Sequence, residues 1–125
     1  MVLCDTNIII EFFKGNEEVI GNLKKIGQDN IAIRAITAAE LLFGALNKNE
    51  LSLISSGLQR LNVIPVAEII SDKFLEFMKQ YALSHRPAIP DLLIASTALV
   101  YEYELFTMNF KDFKYIDGIK LFEVA

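Results

Sequence analysis

Short apolar runs alternate with longer amphipathic segments along the whole chain, and this alternation constrains the fold more than any other feature. Residues 2–5, 31–35, 63–66, 105–107 and 120–124 read as strands. Helical patterns separate them, at 7–13, 17–28, 38–47, 50–61, 68–84 and 91–102. In the segment 17–28, Val19, Ile20, Leu23 and Ile26 share one face, and in 68–84 the stripe is Ile70, Phe74, Phe77 and Tyr81. Pro90 suits the first turn of the helix that carries Asp91. Strands separated by helices predict an α/β fold, a mostly parallel sheet with helices on both faces. No repeat or linker interrupts the 125 residues, so one domain spanning 1–125 is expected.

Composition narrows the classes. Apolar residues make up 53% of the chain and the mean hydropathy is +0.36, too oily for a disordered chain and high for so small a domain. Part of that apolar surface is expected to meet a partner. The uncharged run 92–101 is half the roughly 20 residues a membrane helix needs. No basic segment followed by an apolar stretch opens the chain, so no secretory leader is expected. The single cysteine, Cys4, excludes an internal disulfide, suits a cytoplasmic protein and reads as a small core residue. A net charge of −4 argues against binding nucleic acid through bulk electrostatics alone.

Four acids stand out: Asp5, Glu40, Asp91 and Asp112. Each has an ordinary structural reading. Asp5 is placed to cap the helix that follows it. "TAAE", residues 37–40, fits a capping box in which Glu40 reaches back to Thr37. Asp91 sits in a helical first turn, where the dipole favours a carboxylate. Asp112 could be a surface acid. Taken together they point elsewhere. Asp5 and Asp112 follow strands and Glu40 begins the helix after the second strand, so these three gather at the carboxyl edge of a parallel sheet, where ligands bind. Asp91, opening the helix between the third and fourth strands, makes three or four carboxylates there. Converging carboxylates repel one another unless a hard cation lies among them, and such a cation prefers oxygen ligands.

Other chemistry has little to draw on. His85, the only histidine, falls at a helix end before Pro87 and reads as solvated, which leaves no zinc cluster or serine triad. Gly15, Gly21 and Gly27 are too scattered for a phosphate loop. A phospho-receiver domain would need paired acids after the first strand, and Asp5 stands alone there. A phosphohydrolase of the haloacid-dehalogenase type would need an aspartate where Asn7 stands.

The pattern resembles the PIN-domain ribonucleases, and within them the VapC-type toxins of prokaryotic toxin–antitoxin pairs. The resemblance rests on four motifs in order: "LCDTN" at the start, "TAAELLFGA" at 37–45, "IPDLLIASTA" at 89–98 and "LFTMNFKDF" at 105–113. It implies a five-stranded parallel sheet between helices, Mg²⁺ or Mn²⁺, a metal-activated water, and hydrolysis of RNA phosphodiester bonds. By position it makes Asp5, Glu40 and Asp91 the first three site acids. Asp112 inherits the fourth place, with Asn109 as its polar companion, since family members differ over which position carries the carboxylate. Thr6 and Thr107 match small hydroxyl residues beside the site, and Lys111 and Lys114 form a basic rim able to guide phosphates despite the negative net charge. The implied partners are RNA, a cognate antitoxin and a second copy of the chain, with Ile9, Phe12 and Phe13 as candidates for the antitoxin groove. The alternative is a PIN scaffold that has lost catalysis and serves as a binding module.

Overall fold

A computed structural model describes residues 1–124. Strand β1 (Val2–Cys4) is followed by helices α1 (Thr6–Phe13) and α2 (Glu17–Ile26), then β2 (Ile31–Arg34), α3 (Ala35–Phe43), α4 (Lys48–Leu58) and β3 (Asn62–Ile64). Helices α5 (Glu68–His85) and α6 (Ile89–Tyr101) precede β4 (Glu104–Phe106), and a single 3-10 turn, Phe110–Asp112, follows. The strands are all parallel, in the order β3-β2-β1-β4.

Alternation along each strand explains why a three- or four-residue run suffices. Val2, Cys4, Ile31, Ile33 and Phe106 face one side, packed with Ile8 and Ile9 of α1, Val19 and Leu23 of α2 and Ala38 of α3. Leu3, Ala32, Ile64 and Leu105 face the other, against α5 and α6. Both faces are covered over the central strand β1, which is apolar and buried throughout, whereas the edge strands β3 and β4 each open on an exposed polar residue, Asn62 and Glu104. The expected stripe on α5 is observed, with Ile70, Phe77 and Tyr81 buried and Phe74 packed partly against them.

Two expectations are corrected. The sheet has four strands rather than five. Residues 120–124 form only an isolated bridge, Leu121 to Leu105, held by the Leu105 N–H on the Lys120 carbonyl at 2.7 Å and the Phe122 N–H on the Leu105 carbonyl at 2.9 Å. Helix α3 begins at Ala35 and not at residue 38, because the chain passes from β2 into it with no intervening residue. Thr37 therefore lies inside the helix, and the capping box with Glu40 does not form.

The order of the strands decides where a site can lie. From β1 the chain moves one way, to β2 and β3, and β4 then takes the opposite flank of β1. The carboxyl ends of β1 and β4 thus border the switch point of the sheet, the place where ligands bind in folds of this kind.

Candidate functional site

Asp5 follows β1 directly at that switch point. Its backbone N–H donates to the Phe106 carbonyl at 2.9 Å, which ties it to β4. One carboxylate oxygen accepts the Thr6 N–H at 2.8 Å, so Asp5 does cap α1. The other accepts the Thr107 hydroxyl at 3.2 Å, a bond across 102 residues of sequence that a cap does not need. Thr107 is buried, and its oxygen also accepts the Asn109 N–H at 3.2 Å. The turn after β4 is thereby fixed to the same carboxylate.

Thr6 links Asp5 to α3. Its hydroxyl lies 2.9 Å from that of Thr37, which is fully buried, and 3.5 Å from a Glu40 carboxylate oxygen. Glu40 itself is exposed on the second turn of α3. Asp91 occupies the third position of α6, behind Ile89 and Pro90, where the helix dipole favours its charge. Its carboxyl is nevertheless pushed above the ordinary value, first by burial and then by the charges of Asp112 and Asp5, while Arg34 acts in the opposite sense. Asp112 ends the exposed 3-10 turn, anchored by the fully buried Phe113 beside it. Lys111 and Lys114 flank Asp112 on the exposed surface. The four acids thus come from four separate segments to one edge of the sheet.

Two participants escape a reading of the sequence. Thr37 reads as a cap and is instead a buried hydroxyl facing Thr6. Arg34 ends an otherwise apolar strand, the one signal of its presence, and is only 7% exposed. Burial lowers the pKa of its guanidinium, and Asp5, Glu40 and Asp91 raise it again. His85 is exposed at the end of α5, as expected, but is not free. Its ring stacks on Tyr115 at 4.0 Å with only 7° between planes, and Ser84 Oγ lies 2.8 Å from Nδ1. Cys4 is buried, and its thiol is pushed up to about 12 by that burial and by Asp5. It is a core residue with no part in the chemistry.

The donor set suits a hard cation, since it consists of carboxylate and hydroxyl oxygens. Among the described residues, no three acidic, histidine or cysteine side chains stand close enough to enclose an ion by themselves. An ion held by one or two carboxylates and its own waters fits that spacing, and this is the usual mode for Mg²⁺.

The PIN domain family model matches residues 2–119. The chain belongs to the PIN-domain family. Ribonuclease VapC3 of Methanocaldococcus jannaschii is 37% identical over 92 residues, covering 74% of this chain and 92% of that one. Ribonuclease VapC10 of Mycobacterium tuberculosis is 30% identical over 122 residues, 96% of this chain and 91% of the relative. Among solved structures, a toxin–antitoxin complex from Klebsiella pneumoniae superposes with a TM-score of 0.81 at 30% identity and covers 95% of each chain. The PIN fold of this chain therefore extends over the sheet and all six helices. No helix among the described residues is long and apolar enough to cross a membrane.

Proposed function

We propose that this PIN-domain protein is a divalent-metal-dependent endoribonuclease, the toxin of a VapBC-type pair, acting as a single domain in the cytoplasm. The observation that carries the reading is the approach of Asp5, Asp91 and Asp112 at one sheet edge, where burial first and then the charges of Asp112 and Asp5 raise the Asp91 carboxyl. A structural cap could be asparagine without that penalty. Asp5, Glu40, Asp91 and Asp112 would hold Mg²⁺ or Mn²⁺, directly or through water. When bound, such an ion makes water a nucleophile at neutral pH and stabilises charge on the phosphoryl oxygens.

The chain's own groups do the positioning. The Thr6 N–H and the Thr107 hydroxyl fix both oxygens of Asp5, so its carboxylate cannot rotate away from the site. Thr6 and Thr37 hold α3, and with it Glu40, against α1. Asn109 keeps the turn before Asp112 in register through its N–H on Thr107. Lys111 and Lys114 present positive charge to an approaching RNA backbone.

Partners follow from the apolar surface. A groove of about 970 Å³ starts at Thr6 and Glu40 and runs between Ile10, Phe13, Ile36 and Phe43. A second, of about 530 Å³, is lined by Ile9, Phe12, Phe13 and Leu23. Phe13 belongs to both. An amphipathic antitoxin segment lying there would reach the acids and could set a basic side chain among them. Val66, Ile69 and Ile89 are large, exposed apolar side chains outside both grooves and suit a homodimer contact. The test is cleavage of single-stranded RNA by the purified protein. Scission is expected with Mn²⁺ or Mg²⁺ and none with EDTA; cleavage that persists in EDTA contradicts the reading.

A further inference from the structure

Arg34 is a cation in a place that disfavours one on three separate grounds. It is more than nine-tenths buried, and a buried guanidinium is strongly unfavourable unless compensated. Its Nε has no hydrogen-bond partner. It also occupies the N-cap position of α3 without making a cap bond, at the helix end whose dipole repels positive charge. Neither ion pair closer than 4.0 Å among the described residues involves it; these are Lys14–Glu11 and Lys73–Glu76.

The sheet register shows what offsets these terms. Val2 pairs with Ile31 and Leu3 with Ala32, and that register, continued, brings Asp5 level with Arg34 on the neighbouring strand. On the other side Cys4 pairs with Phe106, which puts Thr107 level with Asp5. Leu3, Ala32 and Leu105 all face α5 and α6, so Asp5, Arg34 and Thr107, two residues further along, emerge on that same face. Asp91 stands there at the start of α6. Arg34 borders a cavity of about 40 Å³ with Ile64, Leu93 and Thr97, on the apolar side of the acids. It contacts none of the carboxylates at ion-pair distance, and its charge acts on Asp5, Glu40 and Asp91 together.

We propose that Arg34 is a built-in cation of the acidic site, standing in for a second metal ion, so that the site takes one divalent ion. This rests on the metal-dependent reading above. Four carboxylates and one guanidinium leave three negative charges. One divalent ion leaves a single net negative charge, whereas a second would reverse the sign of the site. The fixed charge also offsets the repulsion among the acids before any metal arrives, and it opposes the incoming ion.

The test is Mn²⁺ binding to the intact protein, followed by calorimetry and by the electron paramagnetic resonance of free Mn²⁺. The native protein should bind one ion per chain. Arg34→Met, which keeps the length and removes the charge, should bind Mn²⁺ about tenfold more tightly or take a second ion. Its melting temperature in EDTA should also fall. Arg34→Lys should keep the native stoichiometry and affinity within about threefold. Two ions bound to the native protein overturn the proposal, as does Arg34→Met binding a single ion no more tightly than native. If Arg34→Met does not fold, the native stoichiometry and the Arg34→Lys affinity decide. No binding to the native protein overturns the metal-dependent reading as well, whereas one ion bound with an affinity indifferent to Arg34 overturns only the role of Arg34.

Discussion

Thr107 donates its hydroxyl to Asp5 across the junction of β4 and β1, at 3.2 Å, and accepts the Asn109 N–H at the same distance. One buried oxygen thus joins a site carboxylate to the turn that leads to Asp112. Thr107→Val preserves shape but leaves the Asn109 N–H and one Asp5 oxygen without this partner. It should lower stability by about 1–2 kcal/mol, measurable by urea denaturation. RNA cleavage should fall with it, while Thr107→Ser should keep most of both. Equal behaviour of the valine and serine variants would exclude an orienting role.

Asp91 has a pH signature of the opposite sign to an ordinary salt-bridged acid. Its folded carboxyl holds the proton more tightly than the unfolded one, through burial and the charges of Asp112 and Asp5. The stability this contributes is fully present below the unfolded carboxyl pKa and is lost as pH rises through the raised folded value. In EDTA, Asp91→Asn should therefore melt above the native protein at neutral pH, with the gap closing as pH falls to about 4. Thermal melts across that range decide it; a gap that widens in acid would contradict the sign.

Phe113 connects the core to the site. It is fully buried and immediately follows Asp112, so it anchors the turn that presents this acid. Phe113→Ala should destabilise by about 3–5 kcal/mol and weaken Mn²⁺ binding by no more than Asp112→Asn does. Chemical denaturation and calorimetry measure the two effects.

Cys4 should be silent. With its thiol pushed up to about 12 and no exposed surface, it should not react with a thiol reagent in the native protein. Reaction should appear only on unfolding, at a rate set by the denaturant. Rapid labelling of the native protein would contradict its burial.

The apolar runs made four strands and six helices legible, because each strand carries residues packed into the core, such as Leu3, Ala32, Ile64 and Leu105. The strand ends were legible too, and with them the edge to which Asp5, Asp91 and Asp112 come. What the sequence concealed depended on contacts between segments. Whether residues 120–124 would extend the sheet depended on their contact with β4, which is a single bridge at Leu121. The "TAAE" stretch satisfies a local capping rule, but the helix starts at Ala35 and turns Thr37 inward to meet Thr6, 31 residues away. Arg34 looks like the polar end of a strand until the register sets it beside Asp5.

The central claim is that the converging acids hold a divalent ion with which the protein hydrolyses RNA. The most direct measurement compares native protein, Asp5→Asn and Asp91→Asn on one end-labelled single-stranded RNA in the same Mn²⁺ buffer, with an EDTA control for each. The asparagine variants keep side-chain size and hydrogen bonding and lose only charge. The account predicts cleavage by the native protein in Mn²⁺ alone, reduced at least about a hundredfold in either variant, a loss of roughly 2.7 kcal/mol in transition-state stabilisation. Cleavage by Asp91→Asn at the native rate, or by native protein in EDTA, would contradict it.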